Sequence, residues 1–450
     1  MNLSSNKARH ATEIVQELRA AGYSAYLAGG CVRDLILGWE PADFDVTTSA
    51  TPQDVMRIFP QTYAVGAQFG VVLVPIRREG ANGDKDNYTV EVATFRSDGV
   101  YSDGRHPDQV QFSQDAQTDV RRRDFTINGL LLDPISREVF DYVGGRKDLE
   151  LKTIRTIGNP AHRFAEDKLR MLRAARFAAR FGYTIERATL AEIKALAPQI
   201  HQVSRERIRD EILKMLTEGR ARRAFELLDE TGLLEQVLPE IKRMQGVQQP
   251  PQFHPEGDVW VHTLMLLEGL QPNCSKTLAL GVLLHDVGKP PTFRVAPDRI
   301  RFDQHAEVGT RMAEEICHRF RLSNDETEQV CGLVANHMRF GDVQRMKPST
   351  LKRFLRLPKF EEHLELHRLD CVGSHRDLNL YDFARQQLSV IPEEQIRPKP
   401  LITGDDLIAA GYQPGPQFKQ LLTAVEDAQL DGSISTREEA MEIVKNLVIG

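Results

Sequence analysis

Apolar residues recur at helical spacing between about Lys7 and Ala21, where Ala11, Ile14, Val15 and Leu18 fall on one face. That period predicts an amphipathic helix, and Gly22 stops it. Tyr23 to Ala28 reads as a short strand. Thr51-Pro52 sets an N-cap before a proline at the first helical position, which predicts a helix over 52–59. Phe69 to Ile76 and Tyr88 to Phe95 read as strands, with a polar hairpin insert from Arg77 to Asn87. Alternating strand and helix predict an α/β domain with a mixed sheet. From Pro160 the pattern changes to helices rich in Arg and Ala, one of them expected over 162–180. Helical sequence then continues to a small tail beyond a Pro- and charge-rich linker, Pro392 to Pro400.

Composition narrows the class. A chain of 450 residues implies two to four domains. The hydrophobic share of 41% and charged share of 27% are those of a globular protein. A net charge of −6 excludes a polycation, so nucleic-acid contact falls to local Arg/Lys patches. Cys31, Cys274, Cys317, Cys331 and Cys371 are odd in number, scattered and without a C-x-x-C pair. That argues against a disulfide framework or thiolate zinc site and fits a reducing cytosol. The polar stretch Met1 to His10 does not read as a signal peptide. No apolar run approaches the length of a membrane span, so a cytoplasmic protein is expected.

The chemistry concentrates first at Gly29-Gly30-Cys31-Val32-Arg33-Asp34, followed by Asp43-Phe44-Asp45-Val46. Either piece alone is commonly a turn or surface charge. Read together as strand, Gly turn, helix and strand, they form a phosphate-and-metal site. Glycines permit the sharp turn and present helix N-terminal N–H groups to an anion. Gly30 and Arg33 lie where a phosphate would bind, and Asp43 and Asp45 would share one strand face. Paired carboxylates repel unless a cation lies between them, and Mg²⁺ takes carboxylate and phosphate oxygens. Glu91, inside Thr89-Val90-Glu91-Val92-Ala93, reads either as an outward strand charge or as a third acidic group of that site. Ser97 to Gln117 reads as a long functional loop. Arg121-Arg122-Arg123-Asp124-Phe125-Thr126-Ile127-Asn128 offers bidentate phosphate donors. Asp167 and Arg170, three apart on the expected helix, read as an ion pair or as an acceptor beside a donor. The second option matches the amino and ring-nitrogen edge of cytosine and adenine, and mismatches uracil and guanine.

With these residues assembled, the first half resembles the class II tRNA nucleotidyltransferase and bacterial poly(A) polymerase family. The carrying motifs are GG-x-x-RD with DFD, RRDFTIN, and the EDxxRxxRAxRF helix, over about residues 20–240. The resemblance implies a polymerase-beta-like α/β head followed by an all-α neck, HD domain and tail. It implies catalytic metals, Mg²⁺ in particular, on Asp43 and Asp45, with Glu91 beside them. Gly30, Arg33 and Arg123 would contact the triphosphate, Asp167 and Arg170 would read the base, and Arg173 and Arg176 would hold the nucleotide. In a two-metal reaction the RNA 3′-hydroxyl attacks the α-phosphate and pyrophosphate leaves. The family places a mobile loop where Ser97 to Gln117 falls. Gly129 departs from the Ala often found in the family.

In the second half, His262, His285-Asp286, His305, His337 and Asp370 are spread over helical sequence. Imidazole and carboxylate together suit a divalent metal. The order H…HD…H…H…D, within about residues 253–377, resembles the HD superfamily of metal-dependent phosphohydrolases. That resemblance implies one metal on His262, His285, Asp286 and Asp370. His305 and His337 would complete a second site or bind substrate phosphate. The metal would be Ni, Mn, Co or Mg, and the substrate a phosphate monoester or 2′,3′-cyclic phosphate at an RNA end.

The expected division is a head over 1–150, a neck over 151–245, an HD module over 246–391 and a tail over 392–450. The expected function is template-free addition of CCA to tRNA from CTP and ATP, with a fused HD hydrolase. A poly(A) polymerase or partial CCA adder shares the head motifs. A signalling hydrolase with a sensor head, or a non-enzymatic RNA-binding protein, would not need both sets of metal ligands.

Overall fold

The structure is a computed structural model and describes residues 1–64, 69–79, 85–98, 110–251 and 254–449. The chain forms two compact units, Met1–Met215 with Arg223–Leu238, and Leu216–Arg222 with Pro239–Gly450.

The first unit begins with α1 (Asn6–Ala20), whose Ile14, Val15 and Leu18 are buried as the periodicity requires. Then come β1 (Ala25–Ala28), α2 (Gly30–Ile36), β2 (Asp45–Thr48) and α3 (Pro52–Ile58). Thr51 and Asp54 close a reciprocal capping box at the start of α3. β3 (Val71–Glu79) and β4 (Lys85–Thr94) pair antiparallel and run further into the polar insert than the pattern predicts. Their ladder continues through Arg77↔Asn87 and Glu79↔Lys85, which satisfies backbone groups that a loop would leave to water.

The expected loop at Ser97 to Gln117 also differs. Its ends pair as β5 (Arg96–Asp98) with β6 (Val110–Phe112), and α4 (Ala116–Arg121) follows. Residues 99–109 lie outside the described residues. β7 (Leu130–Leu132), β8 (Val139–Asp141), α5 (Gly145–Glu150) and β9 (Thr153–Ile154) complete the sheet region. The main sheet has the order β3-β4-β2-β1-β7-β8. The β2–β4 pair is parallel and the others are antiparallel. This is the mixed sheet the alternation predicts. Leu27, Val46, Val72, Val92 and Leu131 are buried in its core.

The helix expected over 162–180 is two helices, α6 (Pro160–Glu166) and α7 (Leu169–Phe181). Asp167 takes the extended values φ −149° and ψ 106° between them. Its carboxylate accepts the Leu169 N–H at 3.0 Å, the local side-chain bond by which Asp competes with helix. α8 (Arg187–Leu196) and α9 (Arg205–Thr217) follow.

In the second unit the helices Val259–Gly269, Lys276–Leu284, His305–Arg319, Asn324–Asn336 and Phe360–Gly373 pack around buried Leu266, Leu280, Leu283 and Leu333. The linker expected at 392–400 contains a helical turn, Glu393–Ile396, because Ile396 is buried against Phe354, Phe360 and their neighbours. The tail helices Gly404–Ala409, Pro416–Asp431 and Arg437–Ile449 enclose their own cluster of Leu407, Leu421, Val425 and Val444. Among the described residues no helix is long and apolar enough to cross a membrane.

Candidate active site and metal centre

In the first unit, β1 ends at Ala28 and the chain turns at Gly29, φ +73°. A Cβ there would stand 2.9 Å from an Arg123 guanidinium nitrogen, so glycine also permits close approach of that arginine. Gly30 opens α2. β2 starts at Asp45, so Asp43 precedes the strand rather than sharing it. The buried Phe44 ring anchors the chain between them, and Asp43 stands 3.4 Å from Lys7 Nζ.

The partner of Asp45 is Glu91. Parallel pairing sets Val46 opposite Val92, which brings the preceding residues, Asp45 and Glu91, side by side on one face. Asp45 is exposed yet crowded by protein. Lost hydration raises its carboxyl to about 6, helped by the Glu91 charge and by Asp43, and opposed by Arg123. Two carboxylates held side by side repel each other, and a divalent cation between them would relieve that.

Behind this edge lies a chain of ion pairs. Fully buried Asp119 accepts from Arg122 Nε at 2.8 Å and Arg123 at 3.0 Å, and from the Thr47 hydroxyl of β2 at 3.4 Å. Asp124 accepts from Arg173 at 2.9 and 2.7 Å and from Asn128 at 3.0 Å. Burial opposes ionisation of Asp124, but Arg173 and Asn128 outweigh it and hold the carboxyl down at about 2.

A depressed carboxyl stabilises the fold above its ordinary value of 3.8, and that stability is lost as the pH falls towards about 2. Arg173→Ala is therefore expected to cost about 3 kcal/mol at pH 7 and to flatten the acid side of the stability curve in urea unfolding. A loss below about 0.5 kcal/mol, the range of an ordinary surface change, would contradict this.

Arg33, expected at the triphosphate, and Arg176, expected to hold the nucleotide, are both turned inward. Arg33 is buried, donates to Asp34 at 2.8 Å and Asn128 at 2.6 Å, and lies over the Phe181 ring at 4.6 Å. Its flat, weakly hydrated guanidinium suits that interior stack. Arg176 is buried and donates to Glu211 of α9 at 2.7 Å. Both brace the site from within rather than facing a ligand.

The helix break also separates the expected base readers. Asp167 accepts two bonds from Arg207 of α9, at 3.1 and 2.7 Å. Arg170 donates to Glu166 at 2.5 Å and to the carbonyls of Arg163 and Arg122. Sequence reading missed Asp119, Asp124, Arg207 and Glu211. Asp119 was visible as an acid three and four residues before Arg122 and Arg123. Nothing in the local sequence ties α9 to Asp167.

In the second unit the six HD residues converge. His262 Nε2 is 3.1 Å from Asp370, and His285 Nε2 is 3.2 Å from Asp286. His305 Nε2 is 3.2 Å from His337 Nε2. Each ring is aimed by its other nitrogen. Nδ1 of His285, His305 and His337 lies 2.8, 2.9 and 2.6 Å from the carbonyls of Val282, Phe302 and Val334. His262 Nδ1 lies 2.7 Å from Glu256. Acceptors on Nδ1 leave the Nε2 lone pairs directed inward, the usual outer support of metal-binding histidines.

Among these six residues two sets of donor atoms lie within 4.8 Å of one another, His262 with His285 and Asp370, and Asp286 with His305 and His337. Asp286 thus faces both, with Oδ2 towards His285 and Oδ1 towards His305 and His337. Asp286, expected with His262, His285 and Asp370, stands beside His285 and also faces His305 and His337. The buried Nε2 atoms of His262 and His285 have no hydrogen bond among the described residues, and mixed nitrogen and carboxylate donors suit a divalent metal. Burial opposes ionisation of Asp286, yet His285 and Lys289 hold its carboxyl well below the usual range. Lys289 Nζ is 2.7 Å from Asp286. Sequence reading missed Lys289 and Glu256, although Lys289 closes the run His285-Asp286-Val287-Gly288-Lys289.

Gly288 shows why that run carries glycine. A Cβ there would meet the His305 carbonyl at 2.1 Å and the Gly309 nitrogen at 2.6 Å. Gly288→Ala is expected to displace His305 and weaken divalent-metal binding by about 10–100-fold, read by calorimetric titration. Unchanged affinity would contradict it.

The description "Poly A polymerase head domain" matches residues 25–155, "Probable RNA and SrmB- binding site of polymerase A" residues 182–245, and "HD domain" residues 258–367. The CCA-adding enzyme of Enterococcus faecalis is 30% identical over 444 residues, 97% of this chain and 95% of that protein. The one from Geobacillus stearothermophilus is 41% identical over 225 residues, covering 50% of this chain and 53% of the relative. Among solved structures, the Bacillus stearothermophilus CCA-adding enzyme in complex with CTP has TM-score 0.74 and 25% identity, covering 99% of this chain and 98% of that one. The Thermotoga maritima CCA-adding enzyme complexed with tRNA shares the fold, with TM-score 0.57 at 18% identity over 99% of this chain and 97% of that one.

Proposed function

The chain belongs to the family of CCA-adding enzymes, and from that premise we propose that it adds CCA to tRNA 3′ ends from CTP and ATP without a nucleic-acid template. The carrying observation is the acidic edge, with Asp45 beside Glu91 and Asp43 close by. Its carboxylate oxygens fit Mg²⁺. Mg²⁺ held by Asp43 and Asp45 would supply charge neutralisation at the reacting phosphate. Glu91 supports Asp45, and the RNA 3′-hydroxyl displaces pyrophosphate from the α-phosphate.

Arg123, beside Gly29, takes the triphosphate with Gly30. Asp167 accepts from the base amino group while Arg170 donates to the ring nitrogen. Arg33, Arg173 and Arg176 position these groups through Asn128, Asp124 and Glu211. Segments 1–150, 151–245, 246–391 and 392–450 serve as head, neck, HD module and tail, in a cytoplasmic enzyme. Labelled CTP incorporation into tRNA lacking CCA tests the reading. It is expected with Mg²⁺ and lost with EDTA, and incorporation indifferent to chelation would overturn it.

A second activity is proposed for the HD residues, hydrolysis of a phosphate monoester or 2′,3′-cyclic phosphate at an RNA end. Its support is the inward convergence of four histidines and two aspartates. Ni, Mn, Co or Mg fits this donor set and would polarise a phosphate oxygen. Lys289, Arg299 and Arg301 line the same pocket, of about 400 Å³, and offer positive charge to a phosphate. Poly(A) addition is the rival reading of the head, and the choice of primer and nucleotide separates the two.

A further inference from the structure

Asp167 and Arg170 are three residues apart and oppositely charged, the spacing at which side chains on a helix neutralise each other. If they paired, neither would be open to a base. Their side chains share no hydrogen bond among the described residues; the one bond between them is from the backbone, Arg170 N–H to the Asp167 carbonyl at 3.1 Å. The helix break at Asp167 turns its carboxylate towards α9, where Arg207 meets it with both terminal nitrogens, at 3.1 and 2.7 Å. Arg170 turns the other way, to Glu166 and two carbonyls.

We infer that Arg207 is a specificity-determining positioning residue. It holds Asp167 away from Arg170, so that the acceptor and the donor of the base-reading edge stay separate. This rests on the proposal that these two residues read the base.

The bonding inventory supports it. A carboxylate offers roughly four lone-pair sites. Arg207 uses one on each oxygen, and the Leu169 N–H uses a second on Oδ1. One site remains, on Oδ2. A single open acceptor beside an occupied fork suits an amino hydrogen and repels a carbonyl. Arg170 has five N–H donors. Three meet Glu166 and the carbonyls of Arg163 and Arg122, which leaves donors for a ring nitrogen. Arg207 also sets its positive charge against Asp167. Lysine keeps that charge but lacks the planar fork. Charge and geometry can therefore be told apart.

The test measures single-nucleotide addition with CTP, UTP, ATP and GTP, taking kcat/KM for each with the full-length enzyme. Arg207→Ala is expected to reduce the CTP/UTP and ATP/GTP preferences about tenfold or more, mainly through weaker use of CTP and ATP. Arg207→Lys is expected to fall between Ala and the unaltered enzyme. Melting temperatures report folding, and Arg207→Lys keeps the test open should the alanine variant fail to fold. An equal loss for all four nucleotides, with both preferences unchanged, would overturn the inference. Asp167→Ala is the control. If it too preserves the preferences, the base-reading proposal itself fails. If only Asp167→Ala lowers them, Asp167 reads the base without Arg207.

Discussion

Asp45→Asn is expected to reduce nucleotide addition by about a thousandfold or more and, in the metal-free protein at neutral pH, to raise the melting temperature. The two effects share a cause. Asp45 loses hydration and sits beside Glu91, so its carboxyl is raised from 3.8 to about 6. A carboxyl raised on folding stabilises nothing when ionised. Its cost is absent below the ordinary value, grows between about 4 and 6, and is complete above 6. Asparagine keeps the shape without the charge. The gain, about 2 °C for a solvent-screened group in a domain of this size, should therefore appear at pH 7.5 and vanish at pH 4. Melting scans in EDTA at both pH values check it. Retained addition, or a gain equal at both pH values, would show that Asp45 is not the strained acidic centre.

The second large effect is a separation of activities. His285→Gln combined with Asp286→Asn removes ligands from both donor sets, because Asp286 faces each of them. Metal-dependent phosphohydrolase activity on an RNA 3′- or 2′,3′-cyclic phosphate is expected to disappear. Nucleotide addition is expected to persist within about twofold, since the acidic edge belongs to the other compact unit. Metal content by mass spectrometry should fall in parallel. Loss of both activities in a folded protein would sink the two-site reading, and survival of the hydrolase would remove the histidine cluster from its chemistry.

Much of the head was legible because its signals are local. The face of α1, the Thr51-Pro52 start and the β-branched runs of β3 and β4 each carry their period within a few residues. Asp45 and Glu91 were named as partners, and register brings them together. What was not legible depends on distant chain. The partner of the Asp167 carboxylate is Arg207, forty residues on. Arg33 looked like a phosphate ligand from its place after the Gly pair, yet Asn128, Phe177 and Phe181 draw it inside. In the second unit the six converging residues were readable, because H…HD…H…H…D is a list of side chains able to donate to a metal. The carbonyls and Glu256 that aim those donors are set by helix ends and cannot be read from a list.

The central claim is that one acidic edge and one base-reading pair build CCA on tRNA. Its most direct test incubates the protein and Mg²⁺ with tRNA ending before CCA, tRNA ending in CC, and an unstructured RNA, supplying CTP and ATP singly and together. The account predicts C's followed by a single A on the first, one A on the second, and little on the third. Long A tails on any RNA would contradict it.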